Sequence, residues 1–378
     1  MCDYCAFFAA WYLGPCQRRR SQRYETVAQE AAVREDATYK GHIRNLPVVE
    51  GETVQLGRGS SVFLSDRAAG RNAVLITLGF TPKLSKTAIL DPDWVAIGVP
   101  LRWRGDFLCN GQVARPYDAF LVGGPNGYTN LGEDQNTIAL GLRRSELRAA
   151  CAALQGIPPE EIELEDLRLR FDDMAGRKFQ RMLMMLLASS VGASPDPFDA
   201  TIGAAQENDL VSDIALLLTH RKFNGQCSAP SKMNALQIVR TAMAAADTHG
   251  PGSTSLADLC AITGVGQTWL HKAFVDICGT SPMKMMRARR MTQVRNMLLD
   301  STQPAPCVKY AARTFGFVES GRFAREYRQR FGENPSQTLL ARTIGRMASV
   351  QKDAHADRKS MAGDRYSSLS VRPVSSSL

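Results

Sequence analysis

The sequence predicts a multidomain α+β protein, in which a half built of antiparallel strands is followed by a half made only of helices. Its 378 residues exceed the usual size of one domain and suit two. Short apolar runs separated by close turns fill residues 48–142, with no helical stretch between them. After Leu142 the apolar residues recur every three or four positions, which is the period of amphipathic helices.

The first half begins with short, apolar and partly β-branched segments. Asn110 and Gly111 stand between two of them, and both residue types tolerate positive φ, so they predict a tight hairpin of the primed type. Many short strands with close turns are typical of a small antiparallel barrel or jelly roll. The predicted strands are Ala73–Phe80, Trp94–Trp103 interrupted by Pro100, Asp118–Val122 and Ile138–Leu142.

Helices complete the first half. We expect them over Arg143–Gln155, over Phe179–Val191 and along the stripe Leu210, Val211, Ile214, Leu217 and Leu218. Their apolar faces suit either core packing within one chain or pairing with a second copy. The predicted organisation is an extension at 1–47, a domain at 48–220, a linker at 221–230, a helical domain at 231–342 and a disordered, Ser-rich tail at 343–378.

The helical half contains a first helix-turn-helix unit, preceded by a helix over Lys232–Thr248. Ser255 and Asp258 have the spacing of a capping box, and the short helix that they start ends at Gly264. A second helix follows over Gln267–Ile277. Two helices joined by a tight Gly turn make a helix-turn-helix. The predicted buried face of the second helix is Leu270, Phe274 and Ile277.

The unit recurs over Val308–Phe315 and Glu319–Phe331. In the second of these helices Phe323, Tyr327 and Phe331 form an apolar stripe at i, i+4 and i+8. Arginines lie on the other faces, where a guanidinium can donate a bidentate pair to guanine or clamp a phosphate.

A connecting helix over Pro282–Asp300 separates the two units. At 1.5 Å per residue it spans about 28 Å. Successive major grooves on one side of B-DNA lie about 34 Å apart. A rigid rod of this length can therefore hold two recognition helices in adjacent turns of DNA.

Basic charge is concentrated in the same half. The chain carries 46 Lys and Arg against 37 Asp and Glu, a net charge of +9, and residues 231–342 hold +8 of it. A basic domain attached to a larger and nearly neutral one indicates a polyanionic partner such as nucleic acid. A solvated basic surface is the alternative that charge alone leaves open.

Composition excludes several other classes of protein. No run of 18 apolar residues predicts a membrane-spanning helix, and the early apolar stretch precedes its basic cluster, the reverse of a secretory signal. Nine scattered cysteines favour reduced thiols and a cytoplasmic protein. Cys2, Cys5 and Cys16 lack the fourth ligand of a tetrahedral zinc site, so we expect no metal and no cofactor.

These motifs resemble the DNA-binding domain of the AraC/XylS family of bacterial transcription regulators. The resemblance covers Ser231–Arg342 and is strongest over Gly316–Phe317, Gly321–Arg328 and Phe331–Ser336. It implies that duplex DNA is contacted by Thr268, His271 and Lys272 in the first recognition helix and by Ser320, Gly321, Arg322 and Arg325 in the second.

Two residues depart from the family pattern. Ala311 replaces a larger aliphatic residue, which predicts looser packing of the second unit. Gly321 has no side chain at a position that often reads a base.

The resemblance also implies a role for the first half. It is similar in architecture to the family's sensor domain, a cupin-like jelly roll that binds a small organic effector and dimerises through its helices. The whole protein would then be a homodimeric activator that contacts RNA polymerase, and not an enzyme. No effector-binding residue carries over, but the following could line an apolar pocket or fill the core: Trp94, Trp103, Phe107, Phe120 and Tyr128.

Three rival functions were weighed. A jelly-roll metalloenzyme needs two or three His with a carboxylate, and none of the five His sits on a predicted strand. A DNA-repair methyl acceptor with a zinc module lacks the fourth thiol. An effector-independent, architectural DNA binder would have no use for the large neutral half.

Overall fold

The structure, a computed structural model, describes residues 47–164, 166–194, 200–219, 226–227, 230–248, 250, 254–300 and 306–342. Within these ranges a β-sheet with packed helices is followed by a helical half. All but residue 47 of the predicted extension at 1–47, and all of the predicted tail at 343–378, lie outside them. Within these ranges no helix has the length and apolar character needed to cross a membrane.

Over the described residues the sheet contains twelve strands. They are β1 (Val48–Gln55), β2 (Val62–Leu64), β3 (Arg67–Ala69), β4 (Ala73–Thr81), β5 (Leu84–Leu90), β6 (Trp94–Cys109), β7 (Gln112–Val113), β8 (Ala119–Val122), β9 (Tyr128–Arg143), β10 (Leu167–Leu169), β11 (Ala200–Thr201) and β12 (Gln226–Cys227). The described pairings are antiparallel apart from the short pair of β3 and β11. β9 is central, because it pairs with β4, β5 and β6. The mixed α and β architecture is confirmed, while a jelly roll stays a prediction.

The two longest strands correct one prediction. β6 and β9 have 16 residues each and pair from Trp94 opposite Arg143 to Cys109 opposite Asn130. The expected interruption at Pro100 was wrong, since β6 continues through it. Proline cannot donate to the ladder, and the strand absorbs this as shifts of register that begin just after Pro100.

The predicted hairpin is confirmed. Asn110 and Gly111 have φ of 47° and 72°, and Cys109 pairs with Gln112 on either side of them. The Asn110 side chain is buried: its Oδ1 accepts from the Thr129 amide at 2.8 Å, and its Nδ2 donates to Asp166 at 3.1 Å. The Asn110 side chain therefore anchors the turn to the sheet, in addition to tolerating the positive φ that the turn requires.

One face of the sheet packs against three helices, α1 (Arg144–Gln155), α2 (Asp173–Ala193) and α3 (Ala204–Thr219). The Asp172 carboxylate caps α2. The predicted apolar stripes are confirmed as core, with Phe179, Leu183, Leu187, Leu210, Val211 and Ile214 all buried. The apolar faces of these helices are thus mostly buried within the chain.

The predicted linker at 221–230 is partly structured. Gln226–Cys227 forms β12, which pairs with Leu167 and Arg168 at the edge of the sheet. Composition could not show this, because the pairing depends on backbone hydrogen bonds with a distant strand. Residues 221–225, 228 and 229 lie outside the described part.

The helical half follows the predicted order. Its helices are α4 (Pro230–Thr248), α5 (Leu256–Thr263), α6 (Gln267–Cys278), α7 (Pro282–Leu299), α8 (Val308–Thr314) and α9 (Ser320–Phe331). Ser255 and Asp258 form the predicted capping box, and Gly264 ends α5 with φ of 67°. The connecting helix α7 contributes Met285 and Ala288 to the core of the first unit, and Met291, Val294 and Leu298 to that of the second.

Candidate nucleic-acid interface

The first recognition helix is α6. Leu270, Phe274 and Ile277 are buried as predicted and hold the helix on the first unit's core. Thr268, His271 and Lys272 are exposed at its N-terminal half. Gly266 precedes the helix and supplies no side-chain cap, so the positive end of the helix is open to an anion.

Trp269 is a residue of this surface that the sequence analysis missed. It lies in the first turn of α6, and 60% of its surface is exposed. The Lys272 Nζ stands 5.3 Å from its ring centroid, a cation–π distance. The signal in the sequence was its position: Trp269 lies one residue before Leu270 and therefore off the apolar stripe. A Trp that is not needed in the core is available to a partner.

The second recognition helix is α9. Its predicted stripe is confirmed: Phe323, Tyr327 and Phe331 are buried, with ring centroids 5.6 and 4.6 Å apart along the series. The Tyr327 hydroxyl lies 2.9 Å from the Thr338 hydroxyl, so its polar end is paired. The four predicted DNA-facing residues of α9 are all exposed: Ser320, Gly321, Arg322 and Arg325.

Two of the arginines near this surface are held by one carboxylate. Glu326 accepts from Arg287 of α7 at 2.6 and 2.8 Å and from Arg322 at 3.0 Å. Partial burial acts to raise the pKa of Glu326, but the hydrogen bonds from the two arginines outweigh it and hold that pKa below its ordinary value. The network fixes the angle of α9 on α7 and orients the Arg322 guanidinium.

The structure describes both departures from the family pattern. Ala311 is fully buried in the second core, and the looser packing expected from its small side chain stays a prediction. A Cβ built on Gly321 would have no atom within 4 Å, so the surface there is open. The side chains beside Gly321 must supply any contact with DNA at this point.

The two recognition helices are linked through α7. Its 18 residues span about 27 Å. Because its apolar face belongs to both cores, neither unit can rotate freely about it. The arrangement matches the rod that the sequence predicts.

The C-terminal ends of both recognition helices meet the first half. Gly279 ends α6 with φ of 62°, and a Cβ there would lie 2.5 Å from Leu131 of β9. Gly332 ends α9 with φ of 76°, and a Cβ there would lie 2.5 Å from the Ser60 Oγ. Both glycines thus combine a left-handed conformation with a close approach.

Polar contacts reinforce this docking. The Arg330 Nη1 donates to the Gln55 carbonyl at 2.5 Å, and the Gln55 side chain donates to the Arg330 carbonyl. The Arg289 Nε lies 2.7 Å from both carboxylate oxygens of Glu52. Val54, buried in the first unit's core, adds an apolar anchor between them. β1 and its following turn therefore touch both helix-turn-helix units.

The sheet face opposite α1–α3 encloses a small pocket, with an internal volume of about 40 Å³. Phe107, Phe120 and Tyr128 line it, whereas Trp94 and Trp103 do not. Lys86 is buried in the lining, and its Nζ lies 5.9 Å from the Tyr128 ring. In the same lining, Asn130 Oδ1 and Gln135 Oε1 are buried and have no hydrogen-bond partner within the described ranges.

The described residues contain no group of three or more His, Cys, Asp or Glu arranged to hold a metal ion. Cys2, Cys5 and Cys16 lie outside them. Burial raises the pKa of the Cys278 thiol to about 12, which removes it as a nucleophile.

Two helix-turn-helix units on one rigid connecting helix, each presenting exposed polar and cationic side chains, define a DNA-binding domain of the double helix-turn-helix class. A family profile described as a helix-turn-helix domain matches residues 259–341. By this domain the chain belongs to the AraC/XylS family of transcription regulators.

Individual relatives agree with this family. The probable thc operon regulatory protein of Rhodococcus erythropolis is 34% identical over 102 residues, 27% of this chain and 31% of that protein. The XylDLEGF operon transcriptional activator 2 of Pseudomonas putida is 37% identical over 87 residues, 23% of this chain and 55% of that protein. The chain thus spans about a third and about half of these relatives' lengths. The solved structure of a probable AraC family transcriptional regulator from Rhodopseudomonas palustris CGA009 is 35% identical, with a TM-score of 0.25. The match covers 28% of this chain and 95% of the solved chain.

Proposed function

We propose that the protein is a sequence-specific transcription activator that contacts duplex DNA through α6 and α9 and responds to a small organic effector. The observation that carries the DNA part is geometric. All seven predicted contact residues are exposed near the starts of two helices that a shared rod holds together: Thr268, His271, Lys272, Ser320, Gly321, Arg322 and Arg325. The division into domains at 48–220 and 231–342 is part of this proposal.

Arg325 provides the test of the DNA part. Its side chain is exposed and makes no hydrogen bond or ion pair with the described residues, so Arg325→Ala should change the free energy of unfolding by less than about 0.5 kcal/mol. Binding of the full chain to its operator should weaken by about 1–3 kcal/mol if the guanidinium reads a guanine edge. If it only holds a phosphate, affinity should fall equally for all DNA sequences. The salt slope, which is the slope of log affinity against log salt concentration, should then decrease in magnitude by about one.

Arg328→Ala is the matched control, because it removes the same charge from the last turn of α9, away from the start of the helix. It should retain the base preference of the parent. Operator affinity unchanged in Arg325→Ala, or lost only together with the fold, would contradict the proposal.

The effector part rests on the pocket enclosed by the sheet. Asn130 and Gln135 offer buried side-chain oxygens without hydrogen-bond partners among the described residues. Lys86 is buried in the same lining, and aromatic rings surround these groups. Such a combination orients a mostly apolar ligand by a few polar contacts. The present volume holds only about three water molecules, so an effector must displace lining side chains to enter.

Gly98→Leu tests the effector part, because Gly98 lines the pocket and a Cβ there has no atom within 4 Å. The added side chain should fill the cavity while DNA binding persists. Compounds that raise the Tm of the parent in a thermal-shift screen should leave the variant unchanged. Equal shifts in both proteins would place the effector elsewhere.

A homodimer and contact with RNA polymerase complete the proposal. Met174, Met185 and Leu216 remain exposed on α2 and α3, and offer an apolar surface to a second copy. Sedimentation of the full chain as a monomer at micromolar concentration would remove the dimer. Transcription from its target promoter with purified RNA polymerase tests activation, which the named role of the Pseudomonas putida relative supports.

A further inference from the structure

A second cleft, outside the sheet interior, is lined by four arginines. It has a volume of about 450 Å³ and lies where β9 passes into α1. Arg143, Arg144 and Arg148 come from this junction, and Arg71 comes from the turn before β4. Among the described residues, Asp93 is the only acidic side chain of this lining. The lining therefore carries three more positive charges than negative ones.

Arg144 is fixed in position without being neutralised. Its guanidinium donates to four backbone carbonyls, those of Pro92 at 2.7 Å, Trp94 at 3.1 Å, Gly123 at 2.6 Å and Leu164 at 3.5 Å. These acceptors are uncharged. Burial and then the neighbouring charge of Arg148 lower the pKa of Arg144, as expected for cations gathered without sufficient counter-charge.

The other three guanidinium groups are weakly compensated. Arg143 stacks on the Trp94 ring at 4.5 Å and reaches Asp93 at 3.6 Å. The Arg148 Nε is buried and has no hydrogen-bond partner in the part of the chain that the structure describes. Arg71 is exposed, and within the described ranges neither Arg71 nor Arg148 forms an ion pair.

The backbone adds to the same field. α1 has 12 residues and begins at the cleft, with Ser145 of its first turn in the lining. Arg143 occupies the N-cap position and supplies no side-chain cap. Uncapped amides and the positive end of the helix dipole therefore favour a negative charge here.

We infer that this cleft binds a small organic phosphate. Planar guanidinium groups match phosphate oxygens in pairs, and a fixed Arg144 flanked by uncompensated Arg71 and Arg148 surrounds such a group from several sides. The volume falls within the range of small-molecule sites, roughly 300–1,000 Å³. A concave site of this size, built from elements other than α6 and α9, suits a small ligand better than a DNA backbone. The site is separate from the proposed effector pocket.

Titration of the full-length protein with pyrophosphate tests the inference. The parent should bind saturably, with a rise in Tm. Arg71→Gln and Arg148→Gln should each weaken binding about tenfold, because each removes charge-assisted hydrogen bonds to phosphate. Neither side chain forms an ion pair with the described residues, so both variants should keep the parent's circular dichroism. Arg177→Gln, which removes an exposed arginine of α2 outside the cleft, should keep the parent's Kd.

Three results would overturn it: no saturable binding by the parent, an equal loss in Arg177→Gln, or cleft variants that lose affinity for duplex DNA while keeping that for pyrophosphate. The last would make the cleft a DNA surface. Arg325→Ala should keep the parent's Kd for pyrophosphate. Phosphate binding at the cleft can therefore be tested separately from the proposed DNA contacts of α9.

Discussion

The exposed arginines of α9 differ in how firmly their side chains are held. Arg322 is tied to Glu326, which also receives Arg287 of the connecting helix. Arg325, one turn further along the helix, is exposed without such a contact among the described residues. The two proposed DNA contacts thus differ, because the Arg322 guanidinium is held in one orientation and that of Arg325 is not.

The Glu326 network predicts a pH dependence. The folded-state pKa of Glu326 lies below its ordinary value, so its stabilising effect is complete above that value and is lost as the pH falls through the folded-state pKa. Glu326→Gln should lower the free energy of unfolding by about 1 kcal/mol at pH 7 and by less at pH 3.5. Urea titrations at both pH values measure this, with Glu319→Gln as the control because Glu319 supplies no cap to α9. An identical loss at both pH values would contradict it.

Trp269 carries a prediction that separates packing from charge. Because its ring is mostly exposed, Trp269→Ala should leave stability within about 0.5 kcal/mol of the parent. In Trp269→Ala, operator affinity should fall about tenfold while the salt slope stays unchanged, since the indole has no charge. Lys272→Ala should instead reduce the salt slope by about one, because it removes a charge. Val275→Ala, also exposed on α6, should do neither. A changed slope in Trp269→Ala would be against this reading.

At the scale of elements, the helices of the second half could be predicted to within two residues. Their signals are local: the Ser255 capping box, the left-handed Gly264 and the stripe from Phe323 to Phe331. Each depends on residues within a few positions along the chain. Trp269 is an exposed residue of α6 to which these signals did not point.

The strands of the first half were harder to predict. β1 and β5 were missed because their sequences, VVEGETVQ and LSKTAIL, are partly polar, and each becomes a strand by pairing with the other. The middle of β9 is polar too, and gains its structure from flanking strands. Strand formation of this kind depends on distant partners that a local pattern does not contain.

The Asn110 hairpin supplies a prediction at this scale. Asn110→Ala should lower the free energy of unfolding by about 2–4 kcal/mol, because it places Ala at positive φ and leaves the buried Thr129 amide without its acceptor. Val113→Ala, exposed in the same hairpin, should cost less than about 0.5 kcal/mol. Urea unfolding of the three proteins measures both values. Similar losses in the two variants would argue against the anchoring role.

At the scale of the whole molecule, the sheet half contacts both recognition helices at their C-terminal ends. Leu131 abuts Gly279, and Ser60 abuts Gly332. The exposed residues at the opposite ends of the same helices face away from this contact. The first half therefore constrains how the two units are oriented without covering the residues proposed to read DNA.

Cys278 reports on this docking, because it lies at the end of α6 and its thiol is buried. Gly332→Ala should cost about 1 kcal/mol through its positive φ and should also push against Ser60, so that the halves separate and Cys278 is alkylated faster by iodoacetamide. Gly264→Ala is the control, with the same backbone conformation but no atom within 4 Å of its Cβ. Peptide mass spectrometry gives both rates. Equal acceleration in the two variants would show that strain, and not docking, protects Cys278.

The glycine ends of α6 and α9 also bear on how readily this DNA-binding domain could be transplanted. The residues proposed to read DNA lie at the beginnings of the helices, and the docking glycines lie at their ends. A chimera can therefore exchange the former without disturbing the latter. A foreign domain joined to this sheet half would bring its own operator preference. It would still respond to the sheet half only if it, too, ended both helices without a side chain at the positions of Gly279 and Gly332.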